Sequence, residues 1–139
     1  MSGRGRWVDP FAGMPGSRLF IAAPLPTKAV AAVSAIVDAV RAQPLPEGMR
    51  DVRWVRLDGL HLTLRFLGPT PDERLAATTT AMIDVAATTA PIQARLAGTG
   101  AFPDAGRPRT LWVGLAEGAD ALAEVARELN EALRAAGWP

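Results

Sequence analysis

The alternation of apolar and polar residues is strictest in the run His61-Leu62-Thr63-Leu64-Arg65-Phe66-Leu67-Gly68. Successive side chains of a β-strand point to opposite faces, so this alternation predicts a strand with two unlike faces. The apolar face, suited to a hydrophobic core, comprises Leu62, Leu64 and Phe66. The polar face, which offers an imidazole, a hydroxyl and a guanidinium, comprises His61, Thr63 and Arg65.

The same kind of pattern predicts further elements on both sides of this run. Strands are predicted over residues 19–23, 52–57, 92–99 and 110–115. Helices are predicted over residues 28–42, 71–88 and 121–136. Candidate helix-end residues are Thr27 and Asp120 as N-caps, Thr70-Pro71-Asp72-Glu73 as a capping box, and Gly137 as the C′ residue. Because strands and helices mix without regular βαβ alternation, the predicted fold class is α+β.

Composition narrows the class of protein without pointing to a function. The 139 residues suit one domain over residues 18–139, preceded by a flexible N-terminal tail over residues 1–17 that lacks the apolar core of a signal peptide. A net charge of +1 gives no strong global attraction to nucleic acid. The absence of cysteine excludes disulfides, and a single histidine argues against zinc, so no metal or cofactor is predicted. No run is long and apolar enough to span a bilayer, which predicts a cytoplasmic protein.

From residues alone, the polar face of the predicted strand has two interpretations. Half-buried strands often alternate apolar and polar positions, so His61, Thr63 and Arg65 are compatible with an ordinary solvated surface. The same three side chains also suit a phosphate site, because histidine exchanges protons near neutral pH while hydroxyl and guanidinium groups donate hydrogen bonds. Short motifs do not decide between these alternatives.

The run also resembles a known family. His61-Leu62-Thr63-Leu64 followed by Arg65-Phe66-Leu67-Gly68 resembles the first H-x-T-x signature of the 2H phosphoesterase superfamily, and in particular of the bacterial RNA 2′,3′-cyclic phosphodiesterases, also called 2′-5′ RNA ligases. Further resembling blocks are Arg18-Leu19-Phe20-Ile21-Ala22-Ala23-Pro24-Leu25-Pro26, Val52-Arg53-Trp54-Val55, Gly100-Ala101-Phe102-Pro103 and Arg107-Pro108-Arg109-Thr110-Leu111-Trp112-Val113-Gly114.

This resemblance implies a two-lobed fold with antiparallel sheets around a central cleft. It also implies hydrolysis of 2′,3′-cyclic phosphate ends to 2′-phosphates, on RNA ends or on nucleoside 2′,3′-cyclic phosphates, without a cofactor. In that scheme His61 is the proton donor and Thr63 donates its hydroxyl to a phosphate oxygen. Arg65 and Arg109 are candidate substrate-binding residues. For Phe102 and Trp112, base stacking and core packing are both open.

The sequence departs from the family pattern in one respect, since it has no second H-x-T motif and no second histidine. The C-terminal part of the two-lobed fold, with its last strands and its general base, is therefore expected to be missing. Three interpretations follow: a cyclic phosphodiesterase represented by a shortened chain, a non-catalytic RNA-end or nucleotide-binding module, and an inactive truncated fragment. A homodimer that covers the open sheet edge is a further expectation.

Overall fold

Two antiparallel strand pairs and three α-helices form the part of the fold described by a computed structural model, which covers residues 15–44, 52–104, 106 and 108–139. The strands are β1 (Ser17–Pro24), β2 (His61–Thr70), β3 (Arg95–Phe102) and β4 (Thr110–Glu117). The helices are α1 (Thr27–Arg41), α2 (Leu75–Thr88) and α3 (Ala119–Ala135). The predicted α+β class is confirmed. Residues 1–14 of the predicted tail lie outside the described residues, and β1 begins at Ser17.

Each strand pair is a separate antiparallel sheet within the described residues. β1 pairs with β2, so that Pro24 lies opposite His61 at one end and Ser17 lies opposite Thr70 at the other. β3 pairs with β4 as a hairpin whose loop is closed by the Arg109 N–H, which donates to the Phe102 carbonyl oxygen at 2.7 Å. The sheet topology therefore places His61 at the end of β2, next to the end of β1.

The core lies between the β1–β2 sheet and helices α2 and α3. Its buried members are Ile21, Leu67, Ala81, Leu129, Leu133 and Trp138. These side chains come from both strands of the sheet, from both helices and from the residues that follow α3. Burial of such apolar surface stabilises the fold by roughly 25 cal/mol per Å². One side of the sheet therefore faces α2 and α3, and its other side does not contribute to this core.

The end of α3 is tightly fixed. Gly137 has a φ of 92°, and its N–H donates to the Arg134 carbonyl oxygen, while the Trp138 N–H donates to the Leu133 carbonyl oxygen. This is the hydrogen-bond pattern of a Schellman motif, which confirms Gly137 as the C′ residue. The motif directs the Trp138 side chain into the core, where 8% of the residue is exposed.

Trp138 also links α3 to α2 through polar contacts. Its Nε1–H donates to Thr78 Oγ1 at 3.0 Å, and the Thr78 hydroxyl in turn donates to the Arg74 carbonyl oxygen at 2.8 Å. The Arg74 guanidinium lies over the Trp138 ring, 4.9 Å from its centroid, in cation–π geometry. Thr78 is thus the buried acceptor for the indole N–H.

We expect Thr78→Val to destabilise the protein by about 1–3 kcal/mol, because valine keeps the shape of threonine but leaves the buried indole N–H without an acceptor. Urea unfolding measures the change in the free energy of unfolding. The matched control is Thr80→Val on the same helix, where the residue is exposed. Equal free-energy changes for the two variants would show that the hydrogen bond to Trp138 contributes nothing.

Five local predictions are wrong, the first being Asp120 as an N-cap, because it lies inside α3, whose N-cap is Gly118. Residues 52–57 form no strand, since β2 pairs only with β1 among the described residues. Thr27 lies inside α1, which begins after Pro26 without a side-chain cap. Thr70 does not open a capping box, because it is the buried last residue of β2 and its hydroxyl donates to the Gly68 carbonyl oxygen. β3 begins at Arg95 and ends at Phe102, three residues later at each end than predicted.

The helix-facing side of the β1–β2 sheet is not fully covered. An apolar groove of about 890 Å³ lies between this sheet, α2, α3 and the start of β3. Leu62 and Leu64, both half-buried, line it together with Met82 and Leu115. These two leucines of the H-x-T run are therefore only partly covered. None of the helices in the described segments is long and apolar enough to cross a membrane.

Candidate functional site

A β-bulge divides β2 in the middle of the H-x-T run. Ile21 pairs with Arg65 and the next residue, Ala22, pairs with Thr63, so the register shifts and Leu64 has no direct partner. An extra residue of this kind resets the alternation of side chains along the strand. The face of each residue from Arg65 to Leu67 is therefore the opposite of the face that simple alternation predicts, and a second register shift, between Leu19 and Phe20 of β1, follows at Leu67.

The bulge changes which side chains of β2 lie on each side of the sheet. His61 and Thr63 do share the open side of the sheet, and both are exposed. Arg65 does not join them, because it is paired with Ile21 of the core and is directed towards α3. Phe66 takes its place on the open side, paired with Phe20 and 73% exposed. The predicted grouping of Arg65 with His61, and of Phe66 with the core leucines, is wrong.

The orientation of His61 is set by two neighbours. Its Nδ1 lies 2.7 Å from the carbonyl oxygen of Gly59, in the turn that leads into β2. Because a carbonyl oxygen only accepts hydrogen bonds, Nδ1 must be the donor and carries a hydrogen. The Phe20 ring stacks on the imidazole at a centroid distance of 4.9 Å and an interplanar angle of 25°.

This arrangement leaves Nε2 as the nitrogen that can exchange a proton. With Nδ1–H bound to Gly59, the neutral ring offers a lone pair at Nε2, and the protonated ring offers an N–H there. His61 is thus able to act as a base or as an acid at one defined atom. The Thr63 hydroxyl lies on the same side of the strand, about 6.5–7 Å further along for a separation of two residues.

Arg65 holds β2 to the end of α3. Its guanidinium donates to Asn130 Oδ1 at 2.6 Å through Nη1 and to the main-chain oxygen of Pro139 through Nη2. Both partners lie on the helix-covered side of the sheet. Phosphate binding by Arg65 stays a prediction, and it would require the guanidinium to leave these partners.

The other predicted binding residues lie on the second sheet. Arg109 is exposed immediately before β4, and Arg107 lies outside the described residues. Phe102 and Trp112 contact each other across the β3–β4 hairpin at a centroid distance of 6.0 Å and are 61% and 40% exposed. Of the two interpretations left open for these rings, core packing is therefore wrong. The Trp112 ring lies on Gly100, where a Cβ atom would come within 2.2 Å of it.

Charges near His61 are already paired in part. Arg56 donates to Asp58 at 2.8 Å in the turn before β2, although both side chains are largely exposed. Such exposed pairs contribute little to stability.

On α3, far along the chain from this turn, a hydrogen bond from Arg127 lowers the pKa of Glu124. Within the described part of the chain, no group of three or more His, Cys, Asp or Glu side chains is placed to hold a metal ion.

Phe20 is the neighbour of His61 that sequence reasoning missed. It lies in the predicted first strand, but a strand prediction does not say which residue of its partner lies opposite. Only the observed register, with Phe20 opposite Phe66 and Pro24 opposite His61, places its ring on the H-x-T face. The one signal in the sequence that could have pointed to Phe20 is its position in the block that resembles the family's opening strand.

Comparisons with known proteins agree on one family. The model of the LigT-like phosphoesterases matches residues 25–112. The RNA 2′,3′-cyclic phosphodiesterase of Geobacillus stearothermophilus is 38% identical over 126 residues, which are 90% of this chain and 38% of that protein. The enzyme of the same name from Thermus thermophilus is 39% identical over 129 residues, which are 87% of this chain and 62% of that protein.

Solved structures agree with the sequence relatives. The crystal structure of E. coli LigT complexed with 3′-AMP has a TM-score of 0.62 at 27% identity, covering 88% of this chain and 64% of that one. E. coli LigT complexed with ATP has a TM-score of 0.61 at 26% identity, covering 88% and 66%. The chain thus spans less than two thirds of the length of these relatives. Taken with the H-x-T face on β2, these similarities show that the chain belongs to the LigT-like phosphoesterases.

Proposed function

We propose that this chain provides the proton-donor half of an RNA 2′,3′-cyclic phosphodiesterase site, which opens 2′,3′-cyclic phosphate ends to 2′-phosphates. The supporting observation is the placement of His61 Nε2 and the Thr63 hydroxyl on one open face of β2, with Nδ1 held by Gly59 at 2.7 Å. Membership of a phosphoesterase family gives this face its expected substrate. Solved relatives hold nucleotides, which agrees with a nucleotide-ended substrate.

In the proposed reaction, water attacks phosphorus and the bond between phosphorus and the ribose 3′ oxygen breaks. The protonated His61 gives its Nε2 hydrogen to the departing 3′ oxygen, which becomes a hydroxyl. The phosphate stays attached to the 2′ oxygen. Thr63 donates its hydroxyl hydrogen to a nonbridging oxygen, whose charge rises in the transition state.

The proton lost by the attacking water requires a second group. A single imidazole cannot take that proton and protonate the leaving oxygen on opposite sides of phosphorus in one step. The family pattern places a second histidine in this role, and the sequence has only His61. We therefore place the base outside the sequence described here. It would come from a further segment with an H-x-T strand or from a second copy in the predicted homodimer. In either case the base would face His61 across the cleft of the two-lobed fold.

Two arginines complete the proposal. Arg109, exposed immediately before β4, is proposed to contact backbone phosphates of a longer RNA substrate. For Arg65 we propose a structural role rather than phosphate binding, because its hydrogen bond to Asn130 connects the H-x-T strand to α3. Neither residue is needed to open the cyclic phosphate of a single nucleotide in this scheme.

One observation favours a second candidate function. Because the sequence contains one histidine, a module that binds nucleotide ends without turning them over is also consistent with the exposed His61–Thr63 face. The two functions differ in product formation. The test is incubation of the chain with a nucleoside 2′,3′-cyclic phosphate in the presence of a supplied peptide that carries a second H-x-T motif, followed by separation of the 2′- and 3′-monophosphates. Formation of the 2′-phosphate supports the phosphodiesterase, while binding without any product supports the binding module.

We expect Thr63→Val to lower turnover of a nucleoside 2′,3′-cyclic phosphate by about 10²–10³-fold, because a donor aimed at the developing charge is removed. The matched control is Thr63→Ser, which keeps the hydroxyl and should retain most of the activity. Thermal unfolding should change little in both variants, since Thr63 is exposed. A large loss of stability with unchanged turnover would make Thr63 a packing residue.

A further inference from the structure

The imidazole of His61 is not held by its own rotamer preference. The χ2 torsion of histidine is broad, so the plane of the ring is determined by what surrounds it. The Gly59 carbonyl restrains the Nδ1 edge at 2.7 Å. One hydrogen bond at one edge still allows the ring to rock about that contact, and a second contact is needed to fix the direction of Nε2.

Phe20 supplies a contact on the flat side of the ring. Its ring lies 4.9 Å from the imidazole centroid and 25° from parallel, which is a stacked arrangement. On this face of β1, the residue between Phe20 and Pro24 is Ala22, whose small side chain leaves room for the Phe20 ring. Stacking covers one flat side of His61 and leaves Nε2 and the other side open.

Packing in the core does not account for Phe20. The residue is 48% exposed and does not belong to the buried cluster beneath the sheet. Its ring contacts are His61 and Phe66, the latter at 6.2 Å and 51°. A large apolar side chain half exposed on the functional face, with its closest ring contact on the imidazole, calls for another explanation.

We propose that Phe20 is a positioning residue, whose ring stacks on His61 and, together with the Gly59 carbonyl, holds Nε2 towards the substrate. Phe20 does not touch the reacting atoms in this arrangement. Its effect reaches the reaction through the direction of one proton transfer, which is sensitive to small misplacements. The inference rests on the proposed function for its catalytic consequence, while the stacking itself is tested without any activity.

The first experiment uses the fact that the sequence has a single histidine. In ¹⁵N-labelled protein, the two ring nitrogens and two ring carbon-bound protons of His61 give an unambiguous set of NMR signals. In alkaline buffer the wild-type ring should carry its hydrogen on Nδ1, and its protons should show the upfield shift expected over an aromatic face. Phe20→Leu should remove that shift and mix the two tautomers.

Two further variants make this experiment specific. Phe20→Tyr keeps an aromatic face and should preserve the His61 signals. Phe66→Leu removes the other exposed ring on this face, one that contacts Phe20 rather than His61, and should also preserve them. Unchanged His61 signals in Phe20→Leu, with circular dichroism showing a folded chain, would overturn the proposal.

The second experiment measures the consequence for the reaction. Phe20→Leu should lower kcat by roughly three- to tenfold, in line with the energy of an aromatic pair, and should leave KM nearly unchanged. Phe20→Tyr should restore kcat. Altered His61 signals with an unchanged kcat would overturn the positioning role. Absence of turnover by the wild-type chain even when a peptide carrying a second H-x-T motif is supplied would count against the proposed function, whereas the NMR result would still decide whether Phe20 holds the ring.

Discussion

Replacing His61 by alanine is expected to lower the turnover of a nucleoside 2′,3′-cyclic phosphate by about 10²–10⁴-fold, the usual cost of removing a general acid. His61 is the only histidine in the sequence, and it presents Nε2 on the open face of β2. Without it, the departing ribose oxygen must leave as an alkoxide or take a proton from water. Initial rates of 2′-phosphate formation measure the loss.

A matched variant separates proton transfer from hydrogen bonding. His61→Asn keeps a side-chain N–H that can donate to the Gly59 carbonyl, but it cannot transfer a proton near neutral pH. We expect it to be as slow as His61→Ala while binding a nucleoside 2′-phosphate nearly as well as the wild type. Turnover that survives both substitutions would remove His61 from the mechanism and would favour the solvated-surface interpretation of the strand.

The second large effect concerns stability. Trp138→Ala is expected to lower the free energy of unfolding by about 3–5 kcal/mol, the range for loss of a buried aromatic residue. The substitution removes a ring from the core, a hydrogen bond to Thr78 and a cation–π contact with Arg74. Urea or thermal unfolding measures the change.

The chain offers a control of identical chemistry for this prediction. Trp112→Ala deletes the same side chain on the β3–β4 hairpin, where the residue is 40% exposed. Its cost should be about 1 kcal/mol or less, as for most surface substitutions. If the two variants lose similar free energy, then Trp138 does not join α2 to α3 as the contacts indicate.

The sequence predicted those elements whose hydrophobic pattern is long and regular. The three helices were found with their order and approximate ends, and Gly137 was identified because only glycine readily adopts the left-handed conformation after a helix. The H-x-T strand was also found. In each case the local pattern is sufficient to predict the type of secondary structure.

The failures have a common physical cause, since they depend on which segment lies opposite another. Alternation alone could not reveal the bulge at Leu64, because a register shift is a property of a strand pair. The face of Arg65 was therefore wrong, although that of His61 and Thr63 was right. Residues 52–57 had an apolar pattern but no strand pairs with them among the described residues, and Val55 is 71% exposed.

The hydrogen bond from His61 to Gly59 has a consequence for how this site varies in evolution. Its acceptor is a main-chain carbonyl, so no side-chain substitution at position 59 deletes it. A Cβ atom added at Gly59 would meet no other atom within 4 Å, and its φ lies outside the left-handed range. Gly59 can thus be substituted without loss of the hydrogen bond that sets the tautomer of the imidazole. Searches for residues that co-vary with the histidine would overlook the group that orients it.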